Sequence, residues 1–126
     1  MAKILMVDDE PDVLRVVVAA LSGRGHEVIT ARDGASAMAL AAAEKIDLAI
    51  VDRNLPRIDG AEVCRRLRTG EIRRVPVVML SSTPIEHDET GRPDGPNAFV
   101  MRPCLRETLV NNVERLLADA SALALS

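Results

Sequence analysis

The sequence predicts an α/β fold, a doubly wound parallel sheet of five strands with helices on both faces. Four short apolar runs lead to it: Ile4 to Val7, Leu48 to Val51, Val77 to Leu80 and Phe99 to Met101. Each has the length and composition of a parallel strand buried on both faces. Between the runs lie stripes of apolar residues spaced three and four apart, the mark of helices that pack one side against a sheet. A length of 126 residues, 48% hydrophobic and 28% charged, fits one globular domain spanning 1–126.

Taken in order, Ile4 to Val7 makes the first strand, and Pro11 then suits a first helical turn because its missing N–H has no partner there. Val13, Leu14, Val17, Val18 and Leu21 form the buried stripe of that helix, and Gly23 and Gly25 end it. Glu27 to Ala31 is a weaker, more polar run suited to a strand near the sheet edge. Asp33 caps an Ala-rich second helix, Leu48 to Val51 is the third strand, and Asp59-Gly60 reads as a turn and helix start. Val63, Cys64 and Leu67 mark the inner face of the third helix, with Gly70 after it. Val77 to Leu80 and Phe99 to Met101 complete the sheet. Leu105, Leu109, Val113, Leu116 and Leu117 stripe the last helix, and the tail 118–126 either extends that helix or frays. Right-handed crossovers between short parallel strands favour the order 2-1-3-4-5, the flavodoxin-like arrangement.

Composition narrows the function. The net charge is −3, the basic residues are scattered apart from Arg65, Arg66, Arg68, Arg73 and Arg74, and the chain has one Phe with no Tyr or Trp. Neither a basic footprint nor stacking platforms are present, so direct nucleic-acid binding is not expected. The short arginine groups read as the solvated face of a helix and the loop after it. Cys64 and Cys104 lack metal-ligand spacing and read as reduced thiols, with a disulfide left open. The N-terminus is neither a signal peptide nor a membrane span, so no membrane association and a cytoplasmic location are expected. No GxGxxG or GxxxxGK[ST] loop occurs, which disfavours dinucleotide and nucleoside triphosphate binding.

In a doubly wound sheet, ligands bind beyond the carboxyl ends of the strands where strand order reverses. Asp8 and Asp9 follow the first strand and Asp52 ends the third, so three carboxylates should converge at that point. Their mutual repulsion is relieved by a hard divalent cation, and few carboxylates with a backbone carbonyl and waters suit magnesium. Ser81 and Arg102 end the fourth and fifth strands on the same edge. Acids, a hydroxyl and a cation around one point suit phosphoryl transfer to a carboxylate. Plainer readings stand beside this one. Asp8 and Asp9 also suit a helix N-terminus, Asp52 a turn before Pro56, Ser81 an ordinary strand end and Phe99 a core position. His87 and Asp88 read as a solvated loop, and His26 shows no sequence partner.

The segments Lys3-Ile-Leu-Met-Val-Asp-Asp-Glu10, Asp52-Arg-Asn-Leu-Pro-Arg-Ile-Asp-Gly60 and Val77-Val-Met-Leu-Ser-Ser82 resemble response-regulator receiver domains of two-component signalling. The resemblance covers nearly the whole chain. It implies that Asp8 and Asp9 hold Mg2+ directly or through water, that Asp52 is the phosphoacceptor, and that the main-chain carbonyl of Asn54 completes the metal site. It further implies that Ser81 is the switch hydroxyl and Phe99 the aromatic switch. The donor it implies is a phosphohistidine on a sensor histidine kinase or a histidine phosphotransfer protein, with at most self-catalysed phosphorylation and dephosphorylation. Two departures stand out. Arg102 occupies the place of the family's Lys, and 83–96, with two Gly and three Pro, replaces the usual helix between the last two strands. Interior Pro costs a helix roughly 3 kcal/mol and Gly about 1, so an irregular or shortened element is expected there. These departures keep open a pseudo-receiver that binds partners without phosphorylation. A magnesium-dependent aspartyl phosphatase fits less well, since Asn54 stands where such enzymes carry a second Asp.

Overall fold

The structure, a computed structural model, describes residues 2–70, 75–81, 94–101 and 106–125, the last five by backbone alone. Five parallel strands form one sheet: β1 (Lys3–Val7), β2 (Glu27–Ala31), β3 (Leu48–Asp52), β4 (Val77–Ser81) and β5 (Ala98–Met101). Their order is β2-β1-β3-β4-β5, as the sequence predicts. Four helices are present among the described residues: α1 (Pro11–Ser22), α2 (Gly34–Ala43), α3 (Gly60–Arg68) and α4 (Arg106–Leu125).

Alternation along the strands divides the core in two. Ile4 and Met6, Leu48 and Ile50, Val78 and Leu80, with Ala98 and Val100, face α1 and α4. Leu5 and Val7, Ala49 and Val51, Val77 and Met79 belong to the opposite layer, where Val63, Cys64 and Leu67 of α3 pack. Both faces of β1, β3 and β4 are therefore apolar, which is why these strands lack the polar alternation of a one-sided sheet. The outer strands differ. β2 is largely half-exposed, and Met101 at the end of β5 is 49% exposed, so the run Phe99 to Met101 is not buried on both faces. A strand with one hydrogen-bonded neighbour has less cover than a central one.

The helix starts follow local chemistry. Pro11 opens α1, the Asp33 side chain accepts from the Ser36 amide at 2.7 Å to cap α2, and Asp59 accepts from the Glu62 amide at 2.9 Å to cap α3. Gly25 carries φ 88° in the turn from α1 into β2. Only glycine enters that region without a Cβ clash. The tail beyond Ala118 extends α4 as far as Leu125. Most of 83–96 falls outside the described residues, as do Arg73, Arg74, Cys104 and Leu105. The end of that segment is tied to α3, where Arg68 Nε donates to the Gly95 carbonyl at 3.1 Å. His26 does have a partner: its Nδ1 accepts from the Ala2 amide at 3.3 Å. Cys64 is buried, with its Sγ 4.0 Å from the Asp94 carbonyl oxygen.

Candidate phosphoryl-transfer site

Parallel pairing brings the acids together. Val7 pairs with Val51 across β1 and β3, so the residues that follow, Asp8 and Asp52, emerge side by side at the carboxyl edge. The Asp8 amide donates to the Ala31 carbonyl at 3.1 Å, carrying the β1–β2 ladder one step past the strand. Asp8 Oδ1 then accepts from the Glu10 amide at 2.9 Å, which turns the chain into α1. On β3, Asp52 pairs with Leu80, its Oδ1 accepts from the Asn54 amide at 3.1 Å, and the Arg53 amide donates to the Leu80 carbonyl at 2.8 Å.

Carboxylate oxygens of Asp8, Asp9 and Asp52 all lie within 4.8 Å of one another. Asp8 is fully buried, Asp52 is 3% exposed, and Asp9 is open to solvent. Burial pushes the Asp52 carboxyl above its usual range, and the charges of Asp9 and Glu10 push the same way against the Asn54 amide, which lowers it. Two like charges about 4 Å apart repel by roughly 4 kcal/mol at an effective dielectric of about 20. A cation is the direct way to relieve three such groups while keeping them ionised. The donors are hard oxygens, few in number, beside a cleft lined by Asp9, Arg53, Asn54 and Asp59. That set fits a small, partly hydrated divalent cation such as Mg2+.

Ser81 ends β4 and is fully buried. It follows Leu80, the partner of Asp52, and pairs with Met101 of β5. Phe99 lies opposite Met79 and is partly buried against the layer that holds α3. Its core reading thus accounts for its packing. Asn54 is exposed on the loop after β3, and Arg102 lies outside the described residues. The fold therefore gathers Asp8, Asp9 and Asp52 at one point, sets Ser81 on the adjoining strand end, and keeps Phe99 further back along β5.

Sequence reading understated one residue. Gly60 reads as a helix start, yet its Cα sits against the backbone of the site: a Cβ there falls 2.1 Å from the Asp52 carbonyl oxygen and 2.6 Å from the Arg53 Cα. The Asp-Gly pair gives the turn, but only the packing shows what the glycine avoids. A cationic side chain reaches the backbone beside the acids, since Arg32 donates weakly to the Asp9 carbonyl at 3.4 Å.

Residues 4–114 match the family model described as the response regulator receiver domain. The chain is 32% identical to the protein PilH of Pseudomonas aeruginosa over 120 residues, covering 94% of this chain and 99% of PilH. It is 38% identical over 102 residues to the alkaline phosphatase synthesis transcriptional regulatory protein PhoP of Bacillus subtilis, but spans only 42% of that protein. Among solved structures, the chemotaxis response regulator CheY4 of Vibrio cholerae superposes with a TM-score of 0.83 at 32% identity, over 92% of this chain and 98% of that one. The receiver domain of the sensor histidine kinase PA1611 of P. aeruginosa, which has a magnesium ion coordinated in its active site cleft, gives 0.81 at 30% identity, over 93% and 98%.

Proposed function

Because this chain belongs to the response regulator receiver domain family, we propose that it works as a phosphoacceptor, taking a phosphoryl group from a phosphohistidine onto Asp52 with Mg2+ bound beside it. The observation that carries the reading is the convergence of Asp8, Asp9 and Asp52 within 4.8 Å, with Asp52 nearly closed to bulk water. In the transfer, an Asp52 carboxylate oxygen attacks phosphorus. The P–N bond breaks, its electron pair returns to the imidazole nitrogen, and that nitrogen takes a proton from solvent, leaving an acyl phosphate on Asp52.

Asp8, Asp9, Asp52 and the Asn54 carbonyl are the groups that would hold the metal. The chemistry it supplies when bound is charge neutralisation, both among the carboxylates and on the equatorial phosphoryl oxygens. The chain's own residues do the rest. Asp8 is fixed by its backbone bond to β2, and Asp52 is oriented by the Asn54 amide, so the nucleophile is aimed before any donor arrives. Ser81 supplies a hydroxyl at the adjoining strand end to meet the new phosphoryl group, and Phe99, three residues before Arg102, is the aromatic whose packing changes in response. Arg102 supplies a cation with planar geometry in place of an ammonium. The donor is a sensor histidine kinase or a histidine phosphotransfer protein. The reading fits a signalling module whose only chemistry is its own phosphorylation and dephosphorylation.

Acetyl phosphate, a small acyl phosphate, tests it. Wild-type protein with Mg2+ should gain one phosphoryl group by intact mass, and Asp52→Ala should gain none while retaining its circular dichroism spectrum. Equal labelling of the two proteins would overturn the assignment.

A further inference from the structure

We propose that Gly60 is a positioning residue for the phosphoacceptor, holding Asp52 and Asn54 in register with Asp8 and Asp9 by packing its bare Cα against the Asp52 carbonyl. This inference rests on the phosphoacceptor reading. The loop 53–59 leaves the end of β3 and returns to touch it: the Gly60 amide donates to the Arg53 carbonyl at 3.0 Å. Three backbone atoms crowd the place where a Cβ belongs, namely the Asp52 carbonyl oxygen at 2.1 Å, the Arg53 Cα at 2.6 Å and the Asp52 carbonyl carbon at 2.9 Å. None is the tip of a side chain that can swing away. β3 is held on both sides by β1 and β4, and Arg53 is bonded to Leu80, so the strand end has little freedom to retreat.

The far side of the loop is held as well. Asp59 caps α3, and Leu55 is buried. Ile58 packs so closely on Gly34 of α2 that a Cβ there falls 2.9 Å from the Ile58 Cβ. Arg57 adopts φ 68°, which a residue with a side chain rarely takes unless its surroundings impose it. A loop pinned at both ends and strained in the middle transmits a displacement at Gly60 to the site at its other end. Gly34 differs in that its close neighbours are mainly side chains, whereas those of Gly60 are the backbone of the nucleophile itself.

Gly60→Ala should weaken Mg2+ binding, read by calorimetry on the metal-free protein, by roughly 10-fold or more, the usual cost of disturbing what orients a ligand. Its rate of phosphorylation by acetyl phosphate should fall with it. Val63→Ala is the comparison: Val63 is fully buried on the same helix and outside the site, so it should lose stability while keeping wild-type Mg2+ affinity and rate. If Gly60→Ala loses stability but binds Mg2+ and labels like wild type, α3 has moved instead of the site and the proposal falls. Should Gly60→Ala fail to fold, amide exchange in the wild type decides: the Gly60 amide should be as protected as the amides of β3 before Mg2+ is added. Free exchange there until the metal binds would also overturn the proposal. Wild-type protein that neither binds Mg2+ nor labels would instead overturn the phosphoacceptor reading, and the role of Gly60 with it.

Discussion

Asp52 is the residue on which burial and charge act most plainly. Its carboxyl lies above the usual range because ionising it costs desolvation and sets it against Asp9 and Glu10. The folded chain therefore binds that proton more tightly than the unfolded chain does. Metal-free protein should lose stability as pH rises through the unfolded and then the raised folded value, and below the unfolded value this loss disappears. Asp52→Asn should accordingly raise the melting temperature of the metal-free protein at neutral pH, with the gain vanishing in acid. A gain that persisted unchanged in acid would count against this cause. Mg2+ and the proton compete for the same oxygens, so Mg2+ affinity should fall as pH drops through the raised value; a flat affinity would contradict it. At this scale the acids were legible because each follows an apolar run, and strand ends in a parallel sheet share one edge. Gly60 was legible only as a turn, since the atom it avoids belongs to a residue eight positions earlier, brought near by packing. His26 was missed in the same way, its partner Ala2 being supplied by the neighbouring strand end.

Helices and central strands obeyed their periodicity, the strands buried on both faces and the helices along one. Leu14, Val17 and Leu21 of α1 are buried as the stripe predicts, while Val16, between them, is 57% exposed. Leu21→Ala should cost about 2–5 kcal/mol, as removal of a buried leucine does, and Val16→Ser should be nearly neutral in urea melts. Loss of the Asp59 cap by Asp59→Ala should cost about 1 kcal/mol and slow phosphorylation, because the start of α3 is also the end of the loop behind Asp52. A cap variant of unchanged stability would show that the Glu62 amide finds another partner. Edge strands were less legible, since periodicity reports apolar character but not how many neighbours a strand has, and Met101 shows the difference. Ion pairs between elements, such as Arg24 with Glu114 at 2.7 Å, carried no signal in the sequence at all.

Over the whole molecule, the parallel order β2-β1-β3-β4-β5 does the main work, because it places β1 and β3 side by side and so joins Asp8 to Asp52 across 44 positions of sequence. That order followed from short strands, helical crossovers and their fixed hand. Among the described residues no helix is long and apolar enough to cross a membrane. What the fold supplies is a preformed acidic point at a sheet edge, which on the proposed function makes Asp52 a metal-dependent nucleophile. The most direct measurement uses phosphoramidate, whose P–N bond matches that of phosphohistidine, and reads intact mass for wild type and Asp52→Asn with Mg2+ or with EDTA. Wild type with Mg2+ should gain one phosphoryl group, and the other three samples none. Equal labelling with EDTA, or labelling of Asp52→Asn, would contradict that role for Asp52.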